Sequence, residues 1–406
     1  YDIDPRVRSS LKKGRAHFFE IGLPELLRDH LGKNFEVVDR FDPVNSCDVY
    51  IIAVGTPVDS SKRPATRYFE SACRTVGRLL RPGVLVILRS TVPVGTTRSV
   101  AVPVLEKASS LKAGKDFYVA FAPERTVEGK ALEELRRLPQ VIGGTDRVSA
   151  EVAAHLFNSI TSHSVIVDSL EEAEMVKLIN NTYRDVTFAF ANELSLVCKR
   201  WGIDTAKVID AANRDYERSR VPMPSPGVGG YCLKKDPYIF IASARKKGYT
   251  PLLVSHARRV SDRMVSFIGE TIFEFLLRNK KSPRNTKVCF VGLAFKGDPL
   301  TSDMRGSTAL DLYGLLRPKV KVISGYDPAV DPRDVEKSGI TYRKSASKAI
   351  RGADVVVIMN NNPAFRALNI RKLLSTARKP VLLIDGWRLY PREEIAKVGH
   401  VEHITL

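Results

Sequence analysis

Short apolar runs alternate with amphipathic stretches through the first part of the chain. Residues 47–54, 84–88, 117–121 and 141–143 are β-branched and aliphatic runs of strand length, while 66–80 and 149–159 repeat their apolar residues at helical intervals. That alternation predicts an α/β domain with a largely parallel sheet. From Leu170 to Arg200 the pattern becomes one long helical period without Pro or Gly, a natural spine and a candidate subunit interface. A Pro/Gly-rich loop at 221–230 and further helix to about Asn279 follow. Beyond the linker 280–285, strands return at 287–294, 320–326, 355–359 and 381–384. The expected fold class is α/β: two Rossmann-like, doubly wound domains, 1–169 and 283–406, joined by a central helical domain, 170–282, that carries the spine helix.

The two α/β parts echo one another. In the last, strand 287–294 leads through a loop and helix to a second strand with Asp327 at its tip, and the chain itself opens on Tyr1-Asp2-Ile3-Asp4, with Asp2 in the corresponding place. An acid at the end of the second strand of a dinucleotide-binding unit receives ribose hydroxyls, and a strand, Gly-rich turn and helix of about 30 residues precede it. Asp2 is thus the expected ribose ligand, and it favours NAD over NADP because a carboxylate repels a 2′-phosphate. The preceding elements are expected to be missing from the N-terminus of this chain.

Hydrophobic residues make up 44% of the 406 and charged residues 27%, a balance that excludes a disordered or fibrous chain. No apolar run approaches the roughly 20 residues that cross a bilayer, so a cytoplasmic protein free of the membrane is expected. The formal charge is +19, from 64 Lys and Arg against 45 Asp and Glu, and its distribution decides its meaning. Residues 283–406 alone contribute +9 (21 basic, 12 acidic), the basic stretches are short and interleaved with apolar residues, and no nucleic-acid recognition motif accompanies them. The excess suits a small polyanionic substrate and not a nucleic acid. Five unevenly spaced cysteines form no zinc or disulfide pattern, and no metal is expected. Four of them lie in apolar runs as small core residues. Cys232 does not.

Cys232 ends the run Gly227-Val228-Gly229-Gly230-Tyr231-Cys232 and precedes Lys234-Lys235-Asp236. Glycines let backbone and ligand approach closely, and a neighbouring Lys235 lowers a thiol pKa, so Cys232 is read as a nucleophile. Lys177 and Asn181, four residues apart on the long helix, share a face and offer a cation and an amide donor to an oxyanion. Gly55-Thr56-Pro57 and Ser90-Thr91-Val92-Pro93-Val94-Gly95 follow predicted strands at the edge where open α/β sheets place ligands. The segment 122–129, after a third strand, carries Glu124 and Glu128, two carboxylates fit to position a water. Lys296 and Arg305, in the segments that follow strand 287–294, suit a phosphate.

In order along essentially the whole chain, VGTP, STVPVGTT, PER…EG, EAEMVKLINNTYRDVTFAFANEL, GVGGYCLKKD and GLAFKGDP…SDMRGS resemble the signatures of the UDP-sugar 6-dehydrogenase family. The resemblance implies oxidation of a sugar C6 alcohol to a carboxylate with two NAD per turnover, through a thiohemiacetal and a thioester on Cys232. It implies that Glu128 and Thr91 hold water near C6, that Lys177 and Asn181 steady the oxyanion, and that Asp236 assists water and thiol chemistry. Glu124, Arg125, Gly229 and Gly230 would line the substrate, and Gly55, Thr56, Pro57, Ser90 and Thr91 the cofactor. Lys296 and Arg305 would face the nucleotide sugar and the cofactor, and either Arg218 or Arg220 the UDP of a neighbouring subunit. ERTVEGKALEEL and NNTYRDVTFAFANELSL are more similar to the N-acetylhexosamine branch, which implies UDP-N-acetyl-D-mannosamine as substrate; a homodimer, or a higher oligomer, through the long helix is expected. Tyr231 and the Lys234-Lys235 pair depart from the common form of either branch. A UDP-glucose 6-dehydrogenase is the alternative within the class, and a UDP-sugar-binding fragment without catalysis the alternative outside it.

Overall fold

The computed structural model describes residues 1–41 and 47–406. Two compact units divide the chain: Tyr1–Thr182 with Lys235–Pro251, and Tyr183–Lys234 with Leu252–Leu406.

The first unit is built on a five-stranded sheet of β1 (Val49–Ile52), β2 (Leu85–Leu88), β3 (Tyr118–Phe121), β4 (Gln140–Gly144) and β5 (Ser164–Ile166), side by side in that order. Strands β1, β2 and β3 are parallel, β3 and β4 antiparallel, and β4 and β5 parallel. β2 reads Leu-Val-Ile-Leu because both of its faces are covered, as a central parallel strand requires. Val86 and Leu88 pack with Phe69, Cys73 and Val76, one face of helix Arg67–Gly77, while Leu85 and Ile87 meet Ala150, Ala153 and Phe157 of helix Arg147–Phe157. The Asp146 carboxylate accepts the Ser149 amide at 2.8 Å and so starts the latter helix. Gly143 admits the start of the spine helix, since a Cβ there would lie 2.2 Å from the Ser169 carbonyl oxygen. After β2, Thr97–Ala101 forms a π turn before Val102–Ser109 continues as α-helix. Pro103 has no N–H for the Ser99 carbonyl, and the Val102 amide reaches back five residues to the Thr97 oxygen.

The second unit holds an all-parallel sheet of β6 (Lys287–Val291), β7 (Val322–Tyr326), β8 (Thr341–Tyr342), β9 (Val355–Ile358), β10 (Val381–Asp385) and β11 (Val401–Thr405), ordered β11-β10-β9-β6-β7-β8. Numbered within the unit, this is the 3-2-1-4-5-6 order of a doubly wound nucleotide-binding sheet. Helix Leu252–Arg278 lays Met264, Ile268, Ile272 and Phe275 against Val288, Phe290, Val355 and Val357. On the other face Cys289, Val291, Val356 and Ile358 meet Ala349, Ile350, Phe365 and Leu374.

Two α/β domains, one with a mostly parallel sheet and one with an all-parallel sheet, and a helical region that separates them in sequence are therefore the architecture, as the alternation of patterns predicts. The spine helix spans Leu170–Trp201. β5, β8 and β11 lie outside the runs marked in the sequence. All three are edge strands, short or carrying polar residues such as Ser164, Thr341, Glu402 and His403, where one-sided burial weakens the apolar pattern. Among the described residues no helix is long and apolar enough to cross a membrane.

Candidate active site

The loops after β1, β2 and β3 leave the carboxyl ends of parallel strands, the edge at which open α/β sheets bind ligands. Thr56 is buried and donates its hydroxyl hydrogen to the Thr91 carbonyl, which joins the first loop to the second. The second loop is fixed twice more. The Val94 amide donates to Ser243 Oγ (3.0 Å), and the Gly95 and Thr97 amides donate to the two carboxylate oxygens of Glu174 (2.5 and 2.8 Å). Burial pushes the Glu174 carboxyl up to about 7, although both amides favour its ionised form. Ser90 Oγ is buried without a hydrogen-bond partner among the described residues. The edge offers the small residues Gly55 and Pro57 and the hydroxyls of Ser90 and Thr91, on loops held by Thr56 and Glu174, a lining compatible with a dinucleotide such as NAD. Asp2 is exposed, and its carboxylate accepts the Asp4 amide (2.7 Å) at the entry to helix Pro5–Lys12.

In the third loop, Glu124 pairs with Arg89 and accepts the Thr126 amide (2.7 Å). Burial works to raise its pKa, but the Arg89 cation and the amide outweigh burial and hold the carboxyl below the usual glutamate value. Arg125 donates to the Pro139 carbonyl (2.5 Å). Around Glu128, the amides of Gly129 and Ala131 donate to the two oxygens of Glu20 (both 2.8 Å) and the Val127 amide donates to Glu134 (2.8 Å). Glu20 escapes a reading by motif. The signal for it is an acid set within the apolar stretch Phe18-Phe19-Glu20-Ile21, where burial demands partners.

Glu174, Lys177 and Asn181 follow one another at three and four residues along the spine helix and so share a face. Asn181 Nδ2 donates to Asp236 Oδ2 (2.5 Å), and Lys235 Nζ donates to Asp236 Oδ1 (2.6 Å). Asp236 is fully buried at the start of helix Asp236–Lys246, and these two donors hold its carboxylate oxygens in place. Lys235, read from the sequence as an activator of the thiol, has its charge matched by Asp236.

In the second unit, the Gly230 amide donates to the Gly306 carbonyl (3.0 Å) and Lys234 pairs with Asp311. Gly230 has φ +97°, and a Cβ there would fall 2.8 Å from the Phe295 ring. Cys232 is exposed in this loop, whereas Cys73 and Cys289 are core residues whose thiols burial pushes up to about 12. Lys296 lies 5.5 Å over the Phe295 ring. Arg305 is gripped by Asp303 (2.7–3.0 Å) and lies 5.0 Å over the Tyr231 ring. Arg218 and Arg220 are both exposed, and nothing in their surroundings chooses between them. Arg258, which no motif marks, is buried and donates to Asp185 (2.5 Å), to Asp262 (2.9 Å) and to the carbonyl of Leu233 (3.4 Å), the residue after Cys232. Burial raises the Asp185 carboxyl to about 6 against the pull of Arg258.

Asp327 sits at the tip of β7, where a dinucleotide-binding sheet keeps its ribose acid. Its carboxylate is already occupied: Oδ2 accepts the amides of Leu293 (2.7 Å) and Ala294 (3.0 Å) and Asn360 Nδ2 (3.1 Å), and Oδ1 accepts the Ala329 amide (2.9 Å). The acid that the sequence echo sets beside Asp2 is a buried structural staple.

Residues 1–161, 171–263 and 289–392 match, in turn, the NAD binding, central and UDP binding domains of the UDP-glucose/GDP-mannose dehydrogenase family. The chain belongs to that family. A UDP-N-acetyl-D-mannosamine dehydrogenase of Pyrococcus horikoshii is 36% identical over 95% of this chain and 88% of its own length, and that of Escherichia coli K12 is 31% identical over 91% and 88%. Among solved structures, the UDP-D-ManNAc dehydrogenase of Pyrococcus horikoshii has a TM-score of 0.88 at 32% identity, covering 100% of this chain and 92% of its own. A UDP-glucose dehydrogenase of Pyrobaculum islandicum has a TM-score of 0.83 at 27% identity, covering 100% and 90%. As a member of the UDP-glucose/GDP-mannose dehydrogenase family, the chain is an NAD-dependent nucleotide-sugar dehydrogenase.

Proposed function

We propose that the chain carries out the four-electron oxidation of the C6 alcohol of a UDP-N-acetylhexosamine, UDP-N-acetyl-D-mannosamine foremost, to the uronate. The observation that carries this reading is Asp236, a buried carboxylate held by Asn181 and Lys235 and placed four residues after an exposed cysteine in a glycine-hinged loop. Similarity to UDP-N-acetyl-D-mannosamine dehydrogenases over nine-tenths of the chain supports the choice of sugar. We assign NAD to residues 1–169, with Asp2 toward the ribose, the nucleophile and subunit contact to 170–282, and the UDP-sugar to 283–406, with Lys296 and one of Arg218 and Arg220 as its cationic ligands. The reaction is placed in the cytoplasm.

Two NAD molecules bound in turn would each accept one of the two hydrides that leave C6. The chain's own residues supply the rest. Once C6 is an aldehyde, the Cys232 thiolate adds to it, and the charge that moves to O6 is stabilised by Lys177 and Asn181. Asn181 is suited to this because its hydrogen bond to Asp236 fixes the orientation of the amide. Loss of the second hydride leaves a thioester on Cys232. Water held by Glu128 and Thr91 then attacks the acyl carbon, the C–S bond breaks, and the thiolate is restored while the proton of the water passes to a carboxylate, with Asp236 assisting. Glu124, kept ionised by Arg89, anchors the substrate segment.

Turnover with UDP-N-acetyl-D-mannosamine, UDP-N-acetyl-D-glucosamine and UDP-glucose tests the reading. The expected result is two NADH per uronate, with kcat/KM for UDP-N-acetyl-D-mannosamine at least about tenfold above that for UDP-glucose. A preference for UDP-glucose would make the chain a UDP-glucose 6-dehydrogenase, and binding without turnover would remove the catalytic reading.

We also propose that a second copy of the chain covers the spine helix. Its outer stripe of Ile179, Tyr183, Phe190, Val197 and Trp201 repeats at four and seven residues, with Tyr183 71% and Trp201 77% exposed. Phe190→Glu is expected to shift the sedimenting species from dimer to monomer, and a monomeric wild type would overturn the proposal.

A further inference from the structure

The loop that carries Cys232 is fastened to residues 295–311 by the Gly230–Gly306 hydrogen bond, the Lys234–Asp311 ion pair and the placement of Arg305 over Tyr231. The third of these is the unusual one. An aspartate gripping the arginine two residues later is a local turn that recurs here at Asp4/Arg6 and Asp331/Arg333, with the same contacts to Nε and Nη2. Neither Arg6 nor Arg333 has an aromatic ring against it among the described residues, whereas Arg305 does. The grip alone sets one edge of the guanidinium. A ring centred 5.0 Å from its central carbon limits how the head can turn as well, and a guanidinium held by both contacts is a pre-organised ligand for phosphate oxygens.

We propose that Tyr231 is a positioning residue that fixes Arg305 for the pyrophosphate of a bound nucleotide and thereby ties phosphate binding to the loop of Cys232. The proposal rests on the nucleotide-sugar dehydrogenase reading. It also gives a physical role to Tyr231, one of the positions, with Lys234 and Lys235, at which the resemblance finds a departure from the common form. In that role the aromatic face acts and the hydroxyl is dispensable.

Calorimetric titration of the full chain with UDP and, separately, with NAD tests it. Tyr231→Ser is expected to weaken binding of one of the two ligands by about fivefold. Tyr231→Phe should stay within about twofold of wild type, and Tyr231→Ser should have no further effect in an Arg305→Gln background, because a pair acting as a unit is non-additive. The ligand whose affinity moves identifies the source of the pyrophosphate. Equal binding of both ligands by wild type and Tyr231→Ser, additive losses in the double variant, or a phenylalanine variant as weak as the serine one would each overturn the proposal. Should the serine variant fail to fold, Tyr231→Leu, which keeps apolar bulk without a π face, takes its place with the same expectations. A wild type that binds neither ligand would instead defeat the underlying reading, and the positioning role with it.

Discussion

Replacing Cys232 by serine is expected to lower uronate formation by at least about a thousandfold while UDP binding is retained. Serine keeps nearly the same shape, but its hydroxyl is a poor nucleophile near neutral pH without a dedicated base, so no acyl-enzyme forms and oxidation halts before the acid. The loss would not come from packing. Cys232 is exposed, and its loop is held by Gly230 and Lys234, which the substitution leaves in place. Quenching the wild type during turnover should reveal a sugar adduct on the tryptic peptide containing Cys232, and the serine variant should show none. Uronate formed by the variant at an undiminished rate would remove the thioester route altogether.

Arg258→Met is expected to cost about 3–5 kcal/mol of stability at pH 8, the consequence of stranding a buried carboxylate. Arg258 and Asp185 are both buried, and Arg258 is the cation that offsets the burial of Asp185. The folded-state pKa of Asp185, about 6, lies above its ordinary 3.8, so its contribution to stability is complete below 3.8 and is lost as pH rises through about 6. Without Arg258 the carboxyl rises further and the loss extends to higher pH. The deficit relative to wild type should therefore be larger at pH 8 than at pH 5, as urea midpoints at the two pH values would show. An equal deficit at both would exonerate Asp185. Replacing both partners, Asp185→Leu with Arg258→Met, should recover much of the stability, because the penalty belongs to the unpaired charge.

The central strands were legible because they are covered on both faces: β2 and β9 are uninterrupted aliphatic runs. Three of the four edge strands, β5, β8 and β11, were not, since they are short or carry polar residues, whereas the fourth, β1, keeps the apolar run Val-Tyr-Ile-Ile. Among the chemical groups, Asn181 and Asp236 stood out by motif and meet in the folded chain. Glu20 and Glu174 did not stand out, because their partners are backbone groups far along the chain, and a hydrogen bond across 109 positions, as from Gly129 to Glu20, has no local signature; Arg258 shows locally only an ordinary i,i+4 pair with Asp262, while its buried partner Asp185 is distant. Asp327 shows the opposite failure. Its position in the fold was correctly anticipated, but position alone does not reveal that four donors already surround the carboxylate.

The first unit is not continuous in sequence: residues 183–234 belong to the second, and Lys235–Pro251 returns to complete the first. That returning segment supplies Asp236 to Asn181 and Ser243 to the Val94 amide. A ribosome adding about 5–20 residues per second therefore finishes Thr182 several seconds before the last piece of the first unit exists. During that interval the spine helix and the loop after β2 lack these two anchors. A gene cut at Thr182 would therefore leave every residue of the second unit in its later half, while the first unit would be parted from the segment that closes it.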